Sequence, residues 1–233
     1  MKKFSHTSEG PRDTNQDHLG VAKLRSGAVL ICVADGVGGN NGGEVASKFA
    51  VKNFIKLVVE EEVSFINAIN ETHSLLINLA DKDLNLKGMA TTFTAALITG
   101  THLEGVHVGD SRAYLLRNNG LKQLSEDHSE VAKYLREGKL TKEQAIDYPR
   151  KNIIYSALGS QKDLVIDRFE FDLKANDRII LTTDGFYNSV HKKLFRDLSK
   201  KHINIKEFGN SLVNHVHKVG ASDNYSIIII EVD

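Results

Sequence analysis

The chain has 233 residues, and its 30 lysines and arginines balance 30 aspartates and glutamates; 41% of the residues are hydrophobic, one is cysteine and none is tryptophan. A chain of this length and composition folds as a globular protein without disulfides or a structural metal, so a metal ion would serve chemistry. The zero net charge argues against nucleic acid and membranes as partners, and no apolar run approaches the roughly 20 residues of a membrane span.

The first part of the chain alternates between strand and helix patterns. Residues 1–8, 19–24 and 28–35 are predicted strands. The last of these is apolar from residue 28 to residue 34, so we expect it to be buried on both faces. Asn41 and Glu44 have the spacing of a capping box. Apolar residues spaced three and four apart then predict helices over residues 46–57 and 65–79.

The rest of the chain consists mainly of short strand patterns joined by tight turns. Strands are predicted at residues 92–98, 103–108, 113–117, 121–124, 164–171, 178–184 and 225–232, with a two-residue hairpin turn at Asn119-Gly120. Helices are predicted at residues 129–146, interrupted at Gly138, and at 190–201 and 205–219. Segregated helix pairs and antiparallel strands predict an α+β fold with helices covering a sheet or a pair of sheets.

The amino terminus and the single cysteine bear on the compartment. Met1-Lys2-Lys3 is not followed by the apolar segment of a signal peptide, and Cys32 lies in an apolar run, as is typical of a core residue in a reducing environment. No linker-like or repeated segment divides the sequence. We therefore expect a soluble, cytoplasmic protein in which residues 1–233 form one domain.

Three aspartates stand beside the ends of predicted apolar strands. Asp35 and Asp184 follow such strands and each precedes a glycine, while Asp223 comes just before the last strand. A single Asp-Gly pair is most simply a turn, but three convergent carboxylates would repel one another unless a cation were present. Oxygen ligands favour Mg²⁺ or Mn²⁺ over zinc, and paired hard ions point to hydrolysis of a phosphate ester.

The loop after the first strand adds two candidates to this site. Arg12 can hold a phosphate group through two hydrogen bonds, and the Asp17 carboxylate can join or orient a metal shell. The glycine-rich segment 36–43 does not fit the usual phosphate-binding loops. A dinucleotide fingerprint would need glycine in place of Asn41, and a P-loop would need lysine in place of Glu44.

A set of short segments runs in a characteristic order from residue 10 to residue 224. The segments are Arg12-Asp13-Thr14-Asn15-Gln16-Asp17, Ala34-Asp35-Gly36-Val37-Gly38-Gly39, Gly43-Glu44-Val45-Ala46-Ser47, Gly88-Met89-Ala90-Thr91-Thr92, Val108-Gly109-Asp110-Ser111-Arg112-Ala113-Tyr114, Gln123-Leu124-Ser125-Glu126-Asp127-His128-Ser129, Ala157-Leu158-Gly159, Thr183-Asp184-Gly185-Phe186 and Ser222-Asp223-Asn224. In this order they resemble the compact bacterial form of the PPM family of metal-dependent serine/threonine phosphatases, the protein phosphatase 2C type. The resemblance implies a four-layer sandwich, two stacked antiparallel sheets flanked by helix pairs, that hydrolyses phosphoserine and phosphothreonine in proteins.

The resemblance also implies roles for the candidate residues. Asp35 would bridge two Mn²⁺ or Mg²⁺ ions, Gly36 would give its carbonyl to one, and Asp184 and Asp223 would complete the other. Asp17 would act through metal-bound water. Arg12 would hold the substrate phosphate while a water bridging the ions attacks phosphorus, with no phosphoenzyme intermediate. The implied partners are phosphoprotein substrates of a cognate serine/threonine kinase.

The sequence departs from the family pattern at three positions. Val37 stands where eukaryotic members carry a histidine proposed to donate a proton, so the proton donor is unassigned. Asp127 is the candidate ligand for a third ion, but Asn188 stands where an aspartate is frequent, which leaves that site open. Gln16 replaces a glutamate of some members.

Other segments have structural interpretations. Asp110 and Arg112 are expected to tie a turn together, and residues 133–148 match a variable flap that should influence substrate choice. One basic helical stripe is interpreted as an ordinary solvated face and not as a docking surface; its residues are Lys192, Arg196 and Lys200.

The alternative function is a catalytically silent relative that senses a phosphoprotein or a metabolite. Such proteins usually lose one or more metal-binding aspartates, whereas this chain retains all of them. Active hydrolysis is therefore the favoured hypothesis.

Overall fold

The computed structural model describes residues 1–37 and 42–233. In this part of the chain the strands are β1 (Lys2–Ser8), β2 (Asp17–Lys23), β3 (Val29–Val37), β4 (Ala90–Thr91), β5 (Phe93–Thr99), β6 (His102–Val108), β7 (Arg112–Arg117), β8 (Gly120–Gln123), β9 (Asp167–Asp172), β10 (Arg178–Thr182) and β11 (Tyr225–Glu231). The helices are α1 (Gly42–Val59), α2 (Phe65–Lys82), α3 (Glu130–Arg136), α4 (Lys142–Ile146), α5 (Asp184–Ser189), α6 (Lys192–Lys201) and α7 (Ile205–Val219), with a 3-10 turn at Leu84–Leu86. No helix among these described residues is long and apolar enough to cross a membrane.

The strands form two antiparallel sheets that pack face to face. One sheet has the order β1-β11-β10-β7-β8, and the other has the order β2-β3-β5-β6-β9, with β4 paired to β3. The central strands send alternate side chains into two different cores: Cys32 faces α1 and α2 while Ile31 faces the opposite sheet, and Ile227 and Ile228 divide in the same way. This double burial is why β3 and β11 are apolar on both faces.

Helices cover the two outer faces of the sandwich. Phe54 and Ile69 bring α1 and α2 onto the sheet that contains β3, and Phe195 and Phe208 bring α6 and α7 onto the other sheet, beside α5. The predicted α+β class and the four-layer arrangement are confirmed. The helix predicted at 129–146 is two short helices, α3 and α4, with Gly138 in the left-handed region between them at φ 68°.

Strand boundaries differ from the sequence-based ones near the predicted site. β2 begins at Asp17, and β3 continues to Val37 because Gly36 and Val37 pair with β4. Asp17 and Asp35 are therefore directly opposite each other within the sheet. The expectation that Asp184 belongs to the strand that begins at residue 178 is wrong, because β10 ends at Thr182 and Asp184 is the first residue of α5.

Smaller differences lie in the turns. Arg117 pairs with Gly120, so the hairpin turn is Asn118-Asn119 and not Asn119-Gly120. Asn118 takes the left-handed conformation at φ 54°, which asparagine tolerates better than most residues. Residues 164–166 precede β9 and are not strand. The capping box predicted at Asn41 lies outside the described residues.

Candidate active site

Segments from both sheets meet at one end of the sandwich and line an open cleft of about 530 Å³. β3 contributes Asp35 and Gly36, and the first residue of α5 contributes Asp184. Asp223 comes from the segment just before β11, and Arg12 comes from the loop between β1 and β2. These five residues, all singled out in the sequence, thus line a single cleft.

Asp17 lies behind the cleft wall and is only 5% exposed. Its Oδ2 accepts a hydrogen bond of 2.7 Å from the Thr183 hydroxyl, whereas its Oδ1 has no hydrogen-bond partner among the described residues. Burial raises the pKa of Asp17 to about 7, and the neighbouring charges of Asp184 and Asp223 add to the increase. A buried oxygen without a partner calls for a donor or a cation.

Asp35 and Asp184 are buried beside other carboxylates, as Asp17 is. Burial is the main cause that raises the pKa of Asp35 well above its ordinary value, followed by the charges of Asp17 and Asp184. Burial also raises the pKa of Asp184, with the charge of Asp223 as the next cause. A divalent cation would offset both the desolvation and the repulsion, and the donors are all oxygen atoms, so the site fits Mg²⁺ or Mn²⁺.

Asp223 already holds a cation of the protein itself. Its Oδ2 lies 2.8 Å from Nη2 of Arg12, and its Oδ1 accepts a 2.8 Å hydrogen bond from the backbone of Asn224. Within residues 1–37 and 42–233 no group of three or more His, Cys, Asp or Glu side chains is set up to hold one ion. Because Arg12 already pairs with Oδ2 of Asp223, a metal ion at Asp223 would compete with the Arg12 guanidinium.

Gly36 is required by the close approach of β3 to the start of α1. A Cβ atom at Gly36 would lie 2.1 Å from the carbonyl oxygen of Gly43, which is far inside van der Waals contact. The amide of Gly36 donates to the carbonyl of Gln16 at 3.0 Å. A side chain is thus excluded where the resemblance implies that a carbonyl approaches an ion.

Asp127, the candidate ligand for a third ion, is engaged elsewhere. Arg112 grips both of its oxygens, with the shortest contact at 2.6 Å, and Gln123 donates to Oδ1 at 3.1 Å. The Arg112 guanidinium also stacks on the ring of Tyr187, 3.6 Å from its centroid. In this arrangement the Asp127 carboxylate accepts charged hydrogen bonds, and its role as a ligand of a third ion stays a prediction.

Asp110 is a cleft residue that the sequence interpretation placed only in a turn. It lines the cleft with Asp35 and Asp184, and burial followed by the charge of Asp184 raises its pKa to about 7. The available signal was its position: like Asp35, Asp110 follows a predicted strand and stands beside a glycine. Arg112, by contrast, pairs with Asp127, which lies beyond the β7–β8 hairpin.

The remaining predictions concern the margins of the site. Val37 and Gln16 both line the cleft, and Val37 offers no proton. Asn152 and Ile154, which follow the α3–α4 region and lie outside the flap predicted at residues 133–148, form part of the cleft wall. The basic stripe of α6 is exposed while Phe195 of the same helix is buried, as expected of a solvated face; the stripe residues are Lys192, Arg196 and Lys200.

Comparisons with known proteins agree with this arrangement. The family model described as protein phosphatase 2C matches residues 5–223. The serine/threonine phosphatase stp of Listeria welshimeri is 34% identical over 229 residues, covering 94% of this chain and 91% of that protein. The Streptococcus agalactiae serine/threonine phosphatase structure superposes with a TM-score of 0.93 at 26% identity, covering 100% of this chain and 99% of that one.

A further solved structure bears on the metal. The catalytic domain of the serine/threonine protein phosphatase PstP, described in complex with two manganese ions, superposes with a TM-score of 0.86 at 27% identity. The match covers 100% of this chain and 98% of that one.

Proposed function

The chain belongs to the protein phosphatase 2C family, and from this premise we propose that it hydrolyses phosphoserine and phosphothreonine in proteins with two Mn²⁺ or Mg²⁺ ions. The observation that carries the proposal is one open cleft lined by Asp35, Asp110, Asp184 and Asp223 beside Arg12. A cluster of carboxylates that repel one another attracts hard divalent ions, and an arginine at its rim attracts phosphate.

The resemblance to the family suggests the ligands, and the residues concerned all line the cleft. Asp35 would hold both ions, the Gly36 carbonyl would hold one, and Asp184 and Asp223 would hold the other. Asp17 would act on its ion through water, consistent with its position behind the cleft wall and its unpartnered Oδ1. When bound, such ions lower the pKa of a water and neutralise charge on the phosphoryl group.

The protein's own groups bind and orient the substrate. Arg12, whose side chain is 57% exposed, would hold the phosphate at the rim once Asp223 is occupied. Val37 cannot donate a proton, so the departing serine or threonine oxygen would take one from water or from a nearby acid. The chain retains the four aspartates proposed for the two-ion site, Asp17, Asp35, Asp184 and Asp223, which makes a silent sensor the less favoured alternative.

We further propose that residues 1–233 form one catalytic domain, since the family match extends over residues 5–223. The substrates would be phosphoproteins, and a cognate serine/threonine kinase remains a prediction. For a third ion, Asp110 is a better candidate than Asp127, because Asp110 faces the cleft while Asp127 is paired with Arg112.

The test compares the wild type with Asp223→Asn in a phosphothreonine-peptide assay at increasing Mn²⁺. We expect Mn²⁺-dependent turnover by the wild type and a loss of at least about 100-fold in the variant, because a ligand charge is removed. Asp197→Asn, on the exposed face of α6, is the matched control and should retain activity. Calorimetry should detect two Mn²⁺ per wild-type chain; absent turnover and absent binding would refute the proposal.

A further inference from the structure

A second cavity of about 670 Å³ continues from the acidic cleft toward α3 and α4. It shares Asp110, Asp184 and Asp223 with the cleft, so the two spaces are contiguous. Its volume lies in the range typical of binding pockets. We call this second cavity the side groove, and its distal wall comprises Val131, Leu135, Lys142, Ala145, Ile146 and Lys151.

The distal wall exposes large apolar side chains. Leu135 is 36% exposed and Ile146 is 68% exposed, although both line a concave surface. Apolar side chains gathered in a concavity next to a polar cleft are typical of a surface that binds another chain. A substrate whose phosphorylated residue reaches the acidic cleft would lay its neighbouring residues along this wall.

The same wall carries two lysines without a salt-bridge partner among the described residues. Neither Lys142 nor Lys151 forms a salt bridge within residues 1–37 and 42–233, and the Lys151 ammonium donates a 3.3 Å hydrogen bond to the carbonyl of Ile146. Other cations of this region are paired: Lys133 and Lys139 both contact Glu137. The two lysines without a salt bridge are therefore the ones that line the groove.

Two exposed acidic residues, Glu143 and Asp147, lie in the same segment as these lysines, and neither forms a salt bridge among the described residues. The carboxylate of Glu143, next to Lys142, is held by its own backbone amide and by Thr141, which lower its pKa, and the charge of Lys142 lowers that pKa further. Asp127 is paired with Arg112. The free carboxylates that line the groove lie at its other end, in the cleft, so the groove is polarised: acidic where the phosphate would bind and basic where the flanking residues would lie.

We propose that the side groove binds the residues flanking the phosphorylated one, and that Lys142 and Lys151 select substrates with an aspartate or glutamate there. An acidic flanking side chain would meet two ammonium groups that form no salt bridge among the described residues, beside an apolar wall, whereas a basic one would be repelled. This inference rests on the proposed phosphatase function and specifies its substrate class.

The test measures kcat/KM for phosphothreonine peptides that differ only in having glutamate or lysine within three residues of the phosphothreonine. For the wild type we expect the glutamate peptide to be favoured by roughly three- to tenfold at low salt. In the double variant Lys142→Ala/Lys151→Ala the ratio should fall to about one. The matched control, Lys133→Ala/Lys139→Ala, removes two paired lysines of the same region and should keep the wild-type ratio.

The outcomes separate the two proposals. A wild-type ratio of one, or a ratio unchanged in the Lys142→Ala/Lys151→Ala variant, overturns the role of the side groove while leaving the phosphatase function intact. Failure of the wild type to hydrolyse either peptide or p-nitrophenyl phosphate in Mn²⁺ overturns the phosphatase function itself.

Discussion

The backbone of Asp35 is held by hydroxyl groups of β4 and the residue after it. The Asp35 amide donates to the Thr92 hydroxyl at 2.9 Å, and the Asp35 carbonyl accepts from the Thr91 hydroxyl at 2.9 Å. The Thr92 hydroxyl lies 2.8 Å from that of Ser111, the residue after Asp110. These three hydroxyl-bearing residues are fully buried, so they connect the two segments that carry Asp35 and Asp110.

Thr92→Val tests this connection, because valine keeps the shape and removes the hydroxyl. We expect the Mn²⁺ concentration for half-maximal activity to rise by about tenfold, as for other residues that orient metal ligands, and Thr92→Ser to restore it. Thr72→Val removes an equally buried hydroxyl from α2, 2.7 Å from the Ala68 carbonyl. That control should lower stability without moving the Mn²⁺ dependence; equal Mn²⁺ curves for Thr92→Val and wild type would contradict the connection.

At the scale of elements, glycines set how closely helices approach the sheets. Gly209 of α7 lies against β1, and a Cβ atom there would be 2.3 Å from Cδ1 of Phe4. Phe4 itself packs against the core between this sheet and α6 and α7. The contact between Gly209 and Phe4 therefore sets the distance between α7 and the sheet that contains β1.

Gly209→Ala should lower the free energy of unfolding by about 1–2 kcal/mol. Overpacking costs about 1–3 kcal/mol, which exceeds the gain of at most about 1 kcal/mol in helix propensity. A thermal melt should register a fall of several degrees, and Phe4→Leu in the same chain should recover part of it. Asn214→Ala, at an exposed position of α7, should leave the free energy of unfolding unchanged. If Gly209→Ala is as stable as the wild type, β1 moves to accommodate the added methyl group, and the prediction is wrong.

Element types were predictable because both sheets leave a strong pattern. Strands buried on both faces are apolar throughout, and helix stripes repeat every three or four residues. Boundaries near the site were not predictable, since they depend on partners distant in the chain. β3 extends past Asp35 only because β4 pairs with it, and β2 begins at Asp17 because Asp17 pairs with Asp35.

At the scale of the molecule, the zero net charge conceals an uneven distribution. Four carboxylates, those of Asp17, Asp35, Asp110 and Asp184, have pKa values raised by burial at one end of the sandwich. His107 has the opposite response to burial: desolvation, followed by the neighbouring His128, lowers its pKa to about 3. Its ring is fully buried, with Nδ1 2.8 Å from the Thr94 hydroxyl.

This histidine predicts a pH dependence of stability. Between pH 6.5 and pH 3 His107 is protonated in the unfolded chain but not in the folded chain. Its contribution to the free energy of unfolding is therefore intact above pH 6.5 and is lost as the pH falls. By pH 5 the free energy of unfolding should decrease by about 1–2 kcal/mol through this group. The carboxylates with raised pKa values act in the opposite direction, so the measurement is a difference between variants.

Urea unfolding at pH 7.5 and pH 5, with EDTA present, provides that difference. His107→Gln should be less stable than wild type at pH 7.5 but should lose less stability on going to pH 5. His191→Gln, which changes an exposed histidine, should keep the wild-type dependence. Identical losses for His107→Gln and wild type would mean that the buried histidine is not the source.

The amino-acid sequence alone determined the α+β class, the order of the elements and most residues of the acidic cleft, because burial patterns and strand-end carboxylates are local features. The tertiary structure decided which carboxylates face one another and which already accept hydrogen bonds from other side chains. Asp17 is hydrogen-bonded to Thr183, which is 166 residues away. Asp127 forms a salt bridge with Arg112, and Asp110 lines the cleft. Such pairings depend on the register and stacking of the two sheets, which no local spacing specifies.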